Sequence, residues 1–390
     1  METVTLTRGS HRVLTGSPWI YRTELEPVSI APGAVVRVTT REGRMVGTGF
    51  YNPHSMIAVR LLARGELVPD VAALVQQRVR EAWAWRTPLF RDREAWRVIY
   101  AEADGLPGLV VDRYGPLLVM EVTSLGMASY RDVVVETLKD CLHPEGIYEH
   151  GDLPVRLREG LPRENRVLWG QLLSPLEIRE HGVRLLVDVA GGQKTGHFLD
   201  QYENRRRVVD FAPEGIHVFD AFCHTGAFGL ILAHRRHARV TGIDINAEAI
   251  RQAEANAALN HLGERTTFVV ENAFDWLRRA SDQGDQYDVG ILDPPAFTKS
   301  KESLAQALKG YKEINLRALK LIRPGGYLVT SSCSYHVSES DFIQVVHSAA
   351  HDAHRFVRIV EIRGQGPDHP ILPALPESRY LKCLIIAVGK

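Results

Sequence analysis

Cysteine is scarce in this sequence, and long apolar runs are absent. Its four cysteines form no CxxC pair and no disulfide framework, which suits a reducing compartment: Cys141, Cys223, Cys333 and Cys383. No run of about eighteen apolar residues occurs, which excludes an ordinary membrane-spanning helix. The first residues lack the basic and apolar regions of a signal peptide. These absences predict a cytoplasmic protein with reduced thiols and no membrane partner.

Net charge and lysine are also lacking. The formal net charge is +0, and nine lysines stand among 47 basic residues. Bulk charge therefore gives no support to nucleic-acid binding, which must rest on local patches. Five of the lysines fall between Lys299 and Lys320. That stretch is predicted as a helix, for which phosphate contact and an ordinary solvated face are equally open interpretations.

The length of 390 residues predicts two or three domains. Residues 1–70 contain short β segments separated by turns, which indicates a small barrel. All of its cations are arginines, and aromatic residues alternate with charge between Gly16 and Arg22. Such a surface suits RNA, although a solvated barrel exterior is the more ordinary interpretation. Residues 71–174 are predicted as a separate α+β domain that connects the others or supports a substrate.

From residue 175 to residue 390 strands and helices alternate, which predicts a doubly wound parallel α/β sheet. Its last two strands are expected to form an antiparallel pair. The predicted parallel strands are His217–Phe222, Arg239–Ile245, Thr266–Glu271, Tyr287–Asp293 and Gly326–Cys333.

The strand that ends at Asp293 is followed by Pro294 and Pro295, so neither a helix nor a sheet ladder can continue there. The rigid loop is expected to present Phe297 with a free face beside the carboxylate. Ligands of α/β sheets bind outside the carboxyl ends of parallel strands. Asp293 and Cys333 are therefore predicted to face one pocket from neighbouring strand ends.

Other polar residues follow the remaining strands. Asp220 begins a turn that reaches Gly226 and a helix N-terminus, Asp244 ends the next strand, and Asn272 with Ala273 follows the third. One acid at a strand end is usually a solvated cap, whereas several at successive ends indicate a nucleoside site. Because the turn lacks G-x-G-x-x-G, S-adenosylmethionine suits the predicted site better than a dinucleotide.

Several motifs then resemble one family. Those that carry the resemblance are Asp220–Gly226, Asp293–Pro295, Lys194–Gln201, Lys309–Asn315, Ser332–Ser334, Asp368–Pro370 and Tyr380–Lys382. Together they are similar to bacterial RlmI-type ribosomal RNA large-subunit (cytosine-5-)-methyltransferases. The resemblance implies a PUA-like barrel, a central α+β domain and a Rossmann-like class I methyltransferase domain at residues 175–390. One departure concerns the first motif, where Phe222 and His224 replace its usual first two glycines.

The strand ends, the proline loop, the lysine-rich stretch and the resemblance together give the candidate site residues. Cofactor contacts are expected from Phe198, Gln201, Asp220, Phe222, Cys223, Gly226, Asp244, Ile245, Asn272, Ala273 and Asp293. Contacts with ribosomal RNA are expected from Lys194, Pro294, Pro295, Phe297, Lys299 and Lys312. No metal is expected, and the sequence predicts no oligomeric state.

Methylation of carbon-5 of cytosine requires a thiolate that adds to carbon-6 and an acid at ring nitrogen 3. The family match gives these roles to Cys333 and Asp293, because the residues alone leave Cys333 equally open as a core cysteine. Cys223 is the rival thiol, with packing as its more ordinary role. Since the second cysteine of many RNA 5-methylcytosine enzymes is replaced here by Ala296, a single-cysteine mechanism is implied. The base that removes the carbon-5 proton is not identified.

Two other functions remain open from the sequence. The stretch from Asp293 to Phe297 also resembles the D/N-P-P-Y/F motif of enzymes that methylate an exocyclic amine of a base, and these need no cysteine. A ribosome-assembly RNA-binding protein that has lost turnover is the second alternative.

Overall fold

The computed structural model describes residues 1–8, 10–192, 195–298, 300 and 302–390. Lys194 and Lys299, both predicted to contact substrate, lie outside the described residues. The chain forms two compact units. The first comprises Met1–Ile178, Val187–Leu199 and Pro367–Ser378, and the second comprises Arg179–Leu186, Asp200–Gly366 and Arg379–Lys390.

The first unit begins with a five-stranded sheet in the order β1-β3-β4-β5-β2. Its elements are β1 (Glu2–Thr5), α1 (His11–Leu14), β2 (Trp19–Tyr21), β3 (Val35–Thr39), β4 (Met45–Tyr51) and β5 (Ile57–Arg64). Strand β1 pairs with β3 in parallel, and the other pairings are antiparallel. Alternating apolar residues such as Val36 and Val38 lie on its buried face and form one core cluster.

The rest of the first unit is α+β. It contains α2 (Val71–Phe90), β6 (Ala95–Tyr100), β7 (Leu109–Tyr114), β8 (Leu117–Val122), α3 (Leu125–Ala128), α4 (Arg131–Leu142), β9 (Gly146–Glu149), α5 (Pro154–Arg158) and β10 (Arg166–Gly170). Its sheet has the order β10-β9-β8-β7-β6. Phe50 and Leu62 share one apolar cluster with Val75 and Val79 of α2. The predicted domain boundaries at residues 70 and 174 stay a prediction.

The chain then forms the hairpin β11 (Leu176–Glu180) and β12 (Val183–Val187). The elements that follow are α6 (Tyr202–Phe211), β13 (His217–Ala221), α7 (Ala227–Arg236), β14 (Arg239–Asp244), α8 (Ala247–Leu259), β15 (Thr266–Val270), α9 (Ala273–Gln283), β16 (Tyr287–Leu292), α10 (Leu304–Leu321), β17 (Ile322–Ser332), α11 (Glu339–Asp352), β18 (Val357–Arg363) and β19 (Lys382–Val388).

The sheet of the second unit has the order β15-β14-β13-β16-β17-β19-β18. Strands β13 to β17 are parallel, and β19 runs antiparallel between β17 and β18. The prediction of a doubly wound parallel sheet with a final antiparallel pair is therefore confirmed. Because β13 and β14 lie beside β16 and β17, the turns after all four strands open at one edge of the sheet.

Local sequence explains where the helices on this sheet begin. Asn246 caps α8 by accepting hydrogen bonds from the backbone N–H groups of Glu248 (2.9 Å) and Ala249 (3.3 Å). Ser338 and Asp341 form a capping box at α11. Within the described residues, no helix combines the length and the apolar character needed to cross a membrane.

Candidate active site

The turn after β13 has a left-handed backbone at two residues that are not glycine. Phe222 has φ 65° and His224 has φ 49°, while Gly226 has φ 83°. Glycine adopts this region freely, whereas other residues lose about 1–2 kcal/mol there. Hydrogen bonds hold the strained turn, from Cys223 N to Ile243 O (3.0 Å) among others. The turn thus keeps a glycine-like backbone although Phe222 and His224 replace the glycines of the motif.

Asp220 places a buried carboxyl group beneath this turn. The residue is 1% exposed, and its Oδ2 accepts a hydrogen bond from Gly229 N at 3.0 Å. Its Oδ1 is buried without a hydrogen-bond partner in the described part of the chain. Burial raises the pKa of Asp220 to about 8, and the nearby carboxylates of Asp293 and Asp244 act in the same direction. This group would be stabilised by a cation.

Asp244 ends β14 and connects two loops. Its Oδ2 accepts a hydrogen bond from His224 N, and its Oδ1 accepts one from Asn246 N, both at 2.9 Å. The carboxylate is therefore fixed in orientation, and each oxygen keeps a second lone pair that can accept a hydroxyl. The next residue, Ile245, is 70% exposed although it is a large aliphatic side chain. An apolar surface thus adjoins a fixed acceptor, as a nucleoside requires.

Asn272 and Ala273 follow β15 at the start of α9. Asn272 is exposed, and its Oδ1 accepts a hydrogen bond from Phe274 N at 2.9 Å, which caps the helix. Ala273 is buried, with 3% exposure. The oxygen of the Asn272 carboxamide is therefore already engaged in capping, a use that the sequence prediction had not foreseen.

Asp293 and Cys333 follow neighbouring parallel strands, as the sequence predicts. In the β16–β17 ladder Leu292 pairs with Thr330, so both residues leave the sheet at one edge. The Cys333 thiol donates a weak hydrogen bond to the carbonyl oxygen of Pro294, with a sulfur–oxygen distance of 3.7 Å. This contact joins the thiol directly to the loop that Asp293 begins.

The four cysteines, all of which the structure describes, differ in exposure. Cys223 and Cys383 are buried, whereas Cys141 and Cys333 are half-buried. Burial raises the pKa of Cys223 well above its ordinary value and that of Cys383 to about 12. Because the thiolate is the nucleophile, these two are poorly suited to attack. Cys333 is therefore the thiol of the second unit with the better access.

Phe297 belongs to a cluster of aromatic rings. Its centroid lies 4.4 Å from that of Tyr311 and 5.6 Å from that of Phe274, and Phe222 lies 6.4 Å away. A Cβ added at Gly310 in α10 would come within 3.2 Å of the Phe297 ring, which explains glycine inside that helix. The expected free face of Phe297 is thus partly covered, and the ring braces the loop against α10.

The remaining predicted contacts are distributed differently. Pro294 is buried and Pro295 is exposed. The ammonium of Lys312 pairs with the carboxylate of Asp352 at 2.7 Å, so Lys312 already has a partner on α11. Phe198 is half-buried and belongs to the first compact unit.

Gln201 in the second unit contacts Asp293 directly. Its Nε2 donates hydrogen bonds to Asp293 Oδ1 (2.8 Å) and Ser331 Oγ (3.3 Å). Asn204 Nδ2 in turn donates to Gln201 Oε1 at 2.6 Å. This chain of amides fixes the carboxylate that the sequence singles out.

Two residues near Cys333 received no role from the sequence. The hydroxyl of Tyr311 lies 2.9 Å from Ser334 Oγ, and Lys382 Nζ donates to Ser334 O at 2.7 Å. The available signal was a lysine at the start of an apolar strand in a chain with few lysines. Periodicity alone did not reveal that this lysine is buried.

The residues at this edge of the sheet fit S-adenosylmethionine, which carries an ammonium and a sulfonium charge. The carboxyl groups of Asp220, Asp244 and Asp293 act on one another there, and a cation beside Asp220 would favour its ionised form, because Asp220 Oδ1 lacks a hydrogen-bond partner among the described residues. The fixed carboxylate of Asp244 suits a ribose, and exposed Ile245 suits an adenine. Charge and shape therefore agree with the predicted cofactor.

Comparison with known proteins gives the family. A PUA-like domain model matches residues 4–64, and a methyltransferase domain model matches residues 213–368. The ribosomal RNA large subunit methyltransferase I of Shewanella denitrificans is 38% identical over 378 residues, which cover 95% of each chain. Its counterpart from Aeromonas hydrophila is 38% identical over 383 residues, or 96% of each chain. The chain belongs to the ribosomal RNA large subunit methyltransferase I family.

Solved structures agree with the fold. A protein assigned as a methyltransferase and complexed with SAH has a TM-score of 0.86 at 20% identity, covering 99% of this chain and 100% of that chain. A protein from Streptococcus mutans assigned as a SAM-dependent methyltransferase has a TM-score of 0.84 with the same identity and coverage. This likeness shows the fold. Family membership and the methyltransferase domain confirm the prediction of a ribosomal RNA methyltransferase that uses S-adenosylmethionine.

Proposed function

We propose that this enzyme methylates carbon-5 of a cytosine in large-subunit ribosomal RNA through a covalent bond between Cys333 and the base. The supporting observation is the position of Cys333 beside the Asp293–Pro294 loop, at the neighbouring end of the sheet. The names of the curated relatives support ribosomal RNA as the substrate. The choice of carbon-5 rests on the motifs that resemble cytosine-5 enzymes and on the accessible thiol.

The proposed chemistry begins at sulfur. The thiolate of Cys333 adds to carbon-6 of the cytosine, and the electron pair of the carbon-5–carbon-6 double bond becomes available at carbon-5. Bound S-adenosylmethionine would supply the electrophilic methyl group that carbon-5 receives and would leave as S-adenosylhomocysteine, whose sulfur keeps the electron pair of the broken bond. Loss of the carbon-5 proton to a base re-forms the double bond and returns the electron pair to sulfur. The cytosine thereby gains a methyl group and loses a proton, and the thiolate is regenerated.

Asp293 is proposed to hold ring nitrogen 3 during this sequence. A carboxyl group that shares or donates a proton there makes carbon-6 a better acceptor for the thiolate. Gln201 supports that role, because its amide donates to Asp293 Oδ1 and fixes the direction of the carboxylate. The target base must leave its stack to reach these groups.

The cofactor is proposed to lie along the turns after β13, β14 and β15. Asp244 would accept the ribose hydroxyls, and Ile245 would cover one face of the adenine. The carboxyl group of Asp220 would support the charged methionine end from below. Phe222, Cys223, Gly226, Asn272 and Ala273 would line the same turns.

The PUA-like barrel is proposed to hold RNA at its own surface. A cavity of about 580 Å³ lies between α1 and the loop after β3, and Arg8, His11, Arg41 and Arg44 line it. Guanidinium groups make forked contacts with phosphates, which favours a nucleic-acid ligand. Glu42 also lines this cavity near Arg8 and Arg44 and would offset part of their attraction for phosphate. Arg41 already pairs with Glu26, so Arg8 and Arg44 are the better candidates.

Mass spectrometry of digested RNA tests this proposal. Purified enzyme, S-adenosylmethionine and large-subunit ribosomal RNA should give 5-methylcytidine. Formation of an N-methylated nucleoside would contradict the proposal and favour the exocyclic-amine reaction. Absence of any methylated nucleoside with both naked RNA and assembled subunits would favour a non-catalytic RNA-binding protein.

A further inference from the structure

Lys382 is buried, which is unusual for a lysine. Of the six lysines that the structure describes, it is the only buried one, with 4% exposure. Its Nζ donates hydrogen bonds to the carbonyl oxygens of Ser334 (2.7 Å) and Tyr380 (2.8 Å). An ammonium taken out of water is costly unless partners surround it. The side chain is therefore held in one orientation by two backbone groups.

This orientation places the ammonium near Cys333, within range of an electrostatic interaction. Lys382 pairs with Ser332 in the β17–β19 ladder, and the carbonyl that it contacts belongs to Ser334. Cys333 is the residue between these two serines. Burial lowers the pKa of Lys382 to about 8, and the Cys333 sulfur acts in the opposite direction by favouring the ammonium.

Other charged groups near Lys382 largely offset one another. Arg379 disfavours the ammonium and Glu339 favours it, and these two side chains form an ion pair with each other. Tyr311 also lies near Cys333, but burial raises the pKa of its hydroxyl, so it stays neutral at physiological pH. Among the described groups that act on Lys382, Arg379 and Glu339 thus cancel. Ionisation of the Cys333 thiol would therefore be the change that most favours the ammonium form of Lys382.

We propose that Lys382 is a positioning residue whose ammonium stabilises the thiolate of Cys333. The inference rests on the proposed function, in which that thiolate attacks carbon-6. The thiol loses its proton to solvent, and the sulfur electron pair then forms the bond to the base. On elimination the sulfur–carbon bond breaks, and the pair returns to a sulfur that again faces the ammonium. Lys382 thus assists both the attack and the departure of the same atom.

Alkylation of the full-length protein tests this directly. The rate at which iodoacetamide modifies the Cys333 peptide is measured against pH, with the half-buried Cys141 as internal reference. In the wild type the midpoint for Cys333 should lie below that for Cys141. Lys382→Met should raise the Cys333 midpoint by about one pH unit or more, because a neighbouring cation favours the thiolate. Lys382→Arg should restore most of the shift, and Lys390→Met, at an exposed lysine, should cause none.

The same midpoint in the wild type and in Lys382→Met would overturn the proposal. If Lys382→Met does not fold, as judged by loss of S-adenosylmethionine binding, the test is the comparison of the Cys333 and Cys141 midpoints in the wild type. A Cys333 midpoint no lower than that of Cys141 then overturns it. The alkylation needs no RNA, so failure of the cytosine-5 assignment would appear separately, in the nucleoside analysis.

Discussion

The side-chain amide of Gln201 donates a hydrogen bond of 2.8 Å to the carboxylate of Asp293. Gln201 precedes α6, and Asp293 follows β16, so the bond joins parts of the chain that are 92 residues apart. Asn204 holds the other end of the Gln201 carboxamide and itself accepts a hydrogen bond from Arg363 Nε at 2.8 Å. The direction of the Asp293 carboxylate is thus set by a chain of side chains rather than by the strand alone.

Gln201→Leu should reduce methyl transfer about tenfold to a hundredfold. The reason is that a hydrogen bond to a charged group contributes about 1.5–3 kcal/mol, and each 1.4 kcal/mol is a factor of ten. Single-turnover rates with saturating RNA provide the measurement. Gln283→Leu, at an exposed glutamine in α9, is the control. Unchanged rates in Gln201→Leu would show that the hydrogen bond from Gln201 does not orient Asp293 for the reaction.

Asp244→Ala should weaken S-adenosylmethionine binding by at least about tenfold, because it removes charge-assisted hydrogen bonds worth roughly 1.5–3 kcal/mol. Calorimetric titration of the folded variant measures the change. Asp285→Ala removes an exposed carboxylate elsewhere in the same unit and should bind normally. Normal affinity in Asp244→Ala would show that the ribose is held by other groups.

Asp220→Asn should become more stable relative to the wild type as pH rises. The pKa of Asp220 is about 8 in the fold and near 3.8 when unfolded. Its contribution to wild-type stability is therefore fully present below pH 3.8 and is lost as pH rises towards 8. Between these values the difference in free energy of unfolding should grow by at most about 1.4 kcal/mol per pH unit.

Urea unfolding of the cofactor-free proteins at pH 5.5 and 7.5 measures this difference. Other buried groups are common to both proteins and cancel in the comparison. A difference that stays constant between the two pH values would mean that Asp220 is already ionised in the fold.

Arg8→Gln combined with Arg44→Gln should weaken RNA binding and flatten its salt dependence. Each lost phosphate contact should reduce the slope of log affinity against log salt by about 0.7 for single-stranded RNA. Arg37→Gln, an exposed arginine on β3 outside the cavity, is the matched control. Equal slopes for the double variant and the wild type would show that these two arginines are ordinary solvated residues that do not contact phosphate.

The sequence predicted the sheet of the second unit well, because its signals are local. A buried strand that ends in a carboxylate or a proline pair can be predicted from the local sequence alone, as it was for the strand before Asp293. Local propensity does not account for the whole of helix α2, which extends to Phe90 although it contains Pro88. Packing against the core of the first unit stabilises the end of this helix, although local helix propensity is weak there.

Relationships set by tertiary contacts could not be predicted. Nothing local indicates that Phe222 and His224 adopt the backbone of the glycines they replace, since Asp244 and the β14 backbone hold that turn from another strand. The pairing of Lys312 with Asp352 likewise depends on how α10 lies beside α11. The expected contact of Lys312 with RNA rested on the lysines clustered in this stretch, and such a cluster carries no information about partners.

RNA that contains 5-fluorocytosine tests the covalent step between Cys333 and the base. Fluorine cannot leave as a proton, so the enzyme should methylate once and remain bound through Cys333. A protein–RNA adduct that survives denaturation should form with the wild type and with Cys141→Ala, and it should be absent with Cys333→Ala. Near-normal methylation by Cys333→Ala, or an adduct that depends on Cys223, would contradict attack on the base by Cys333.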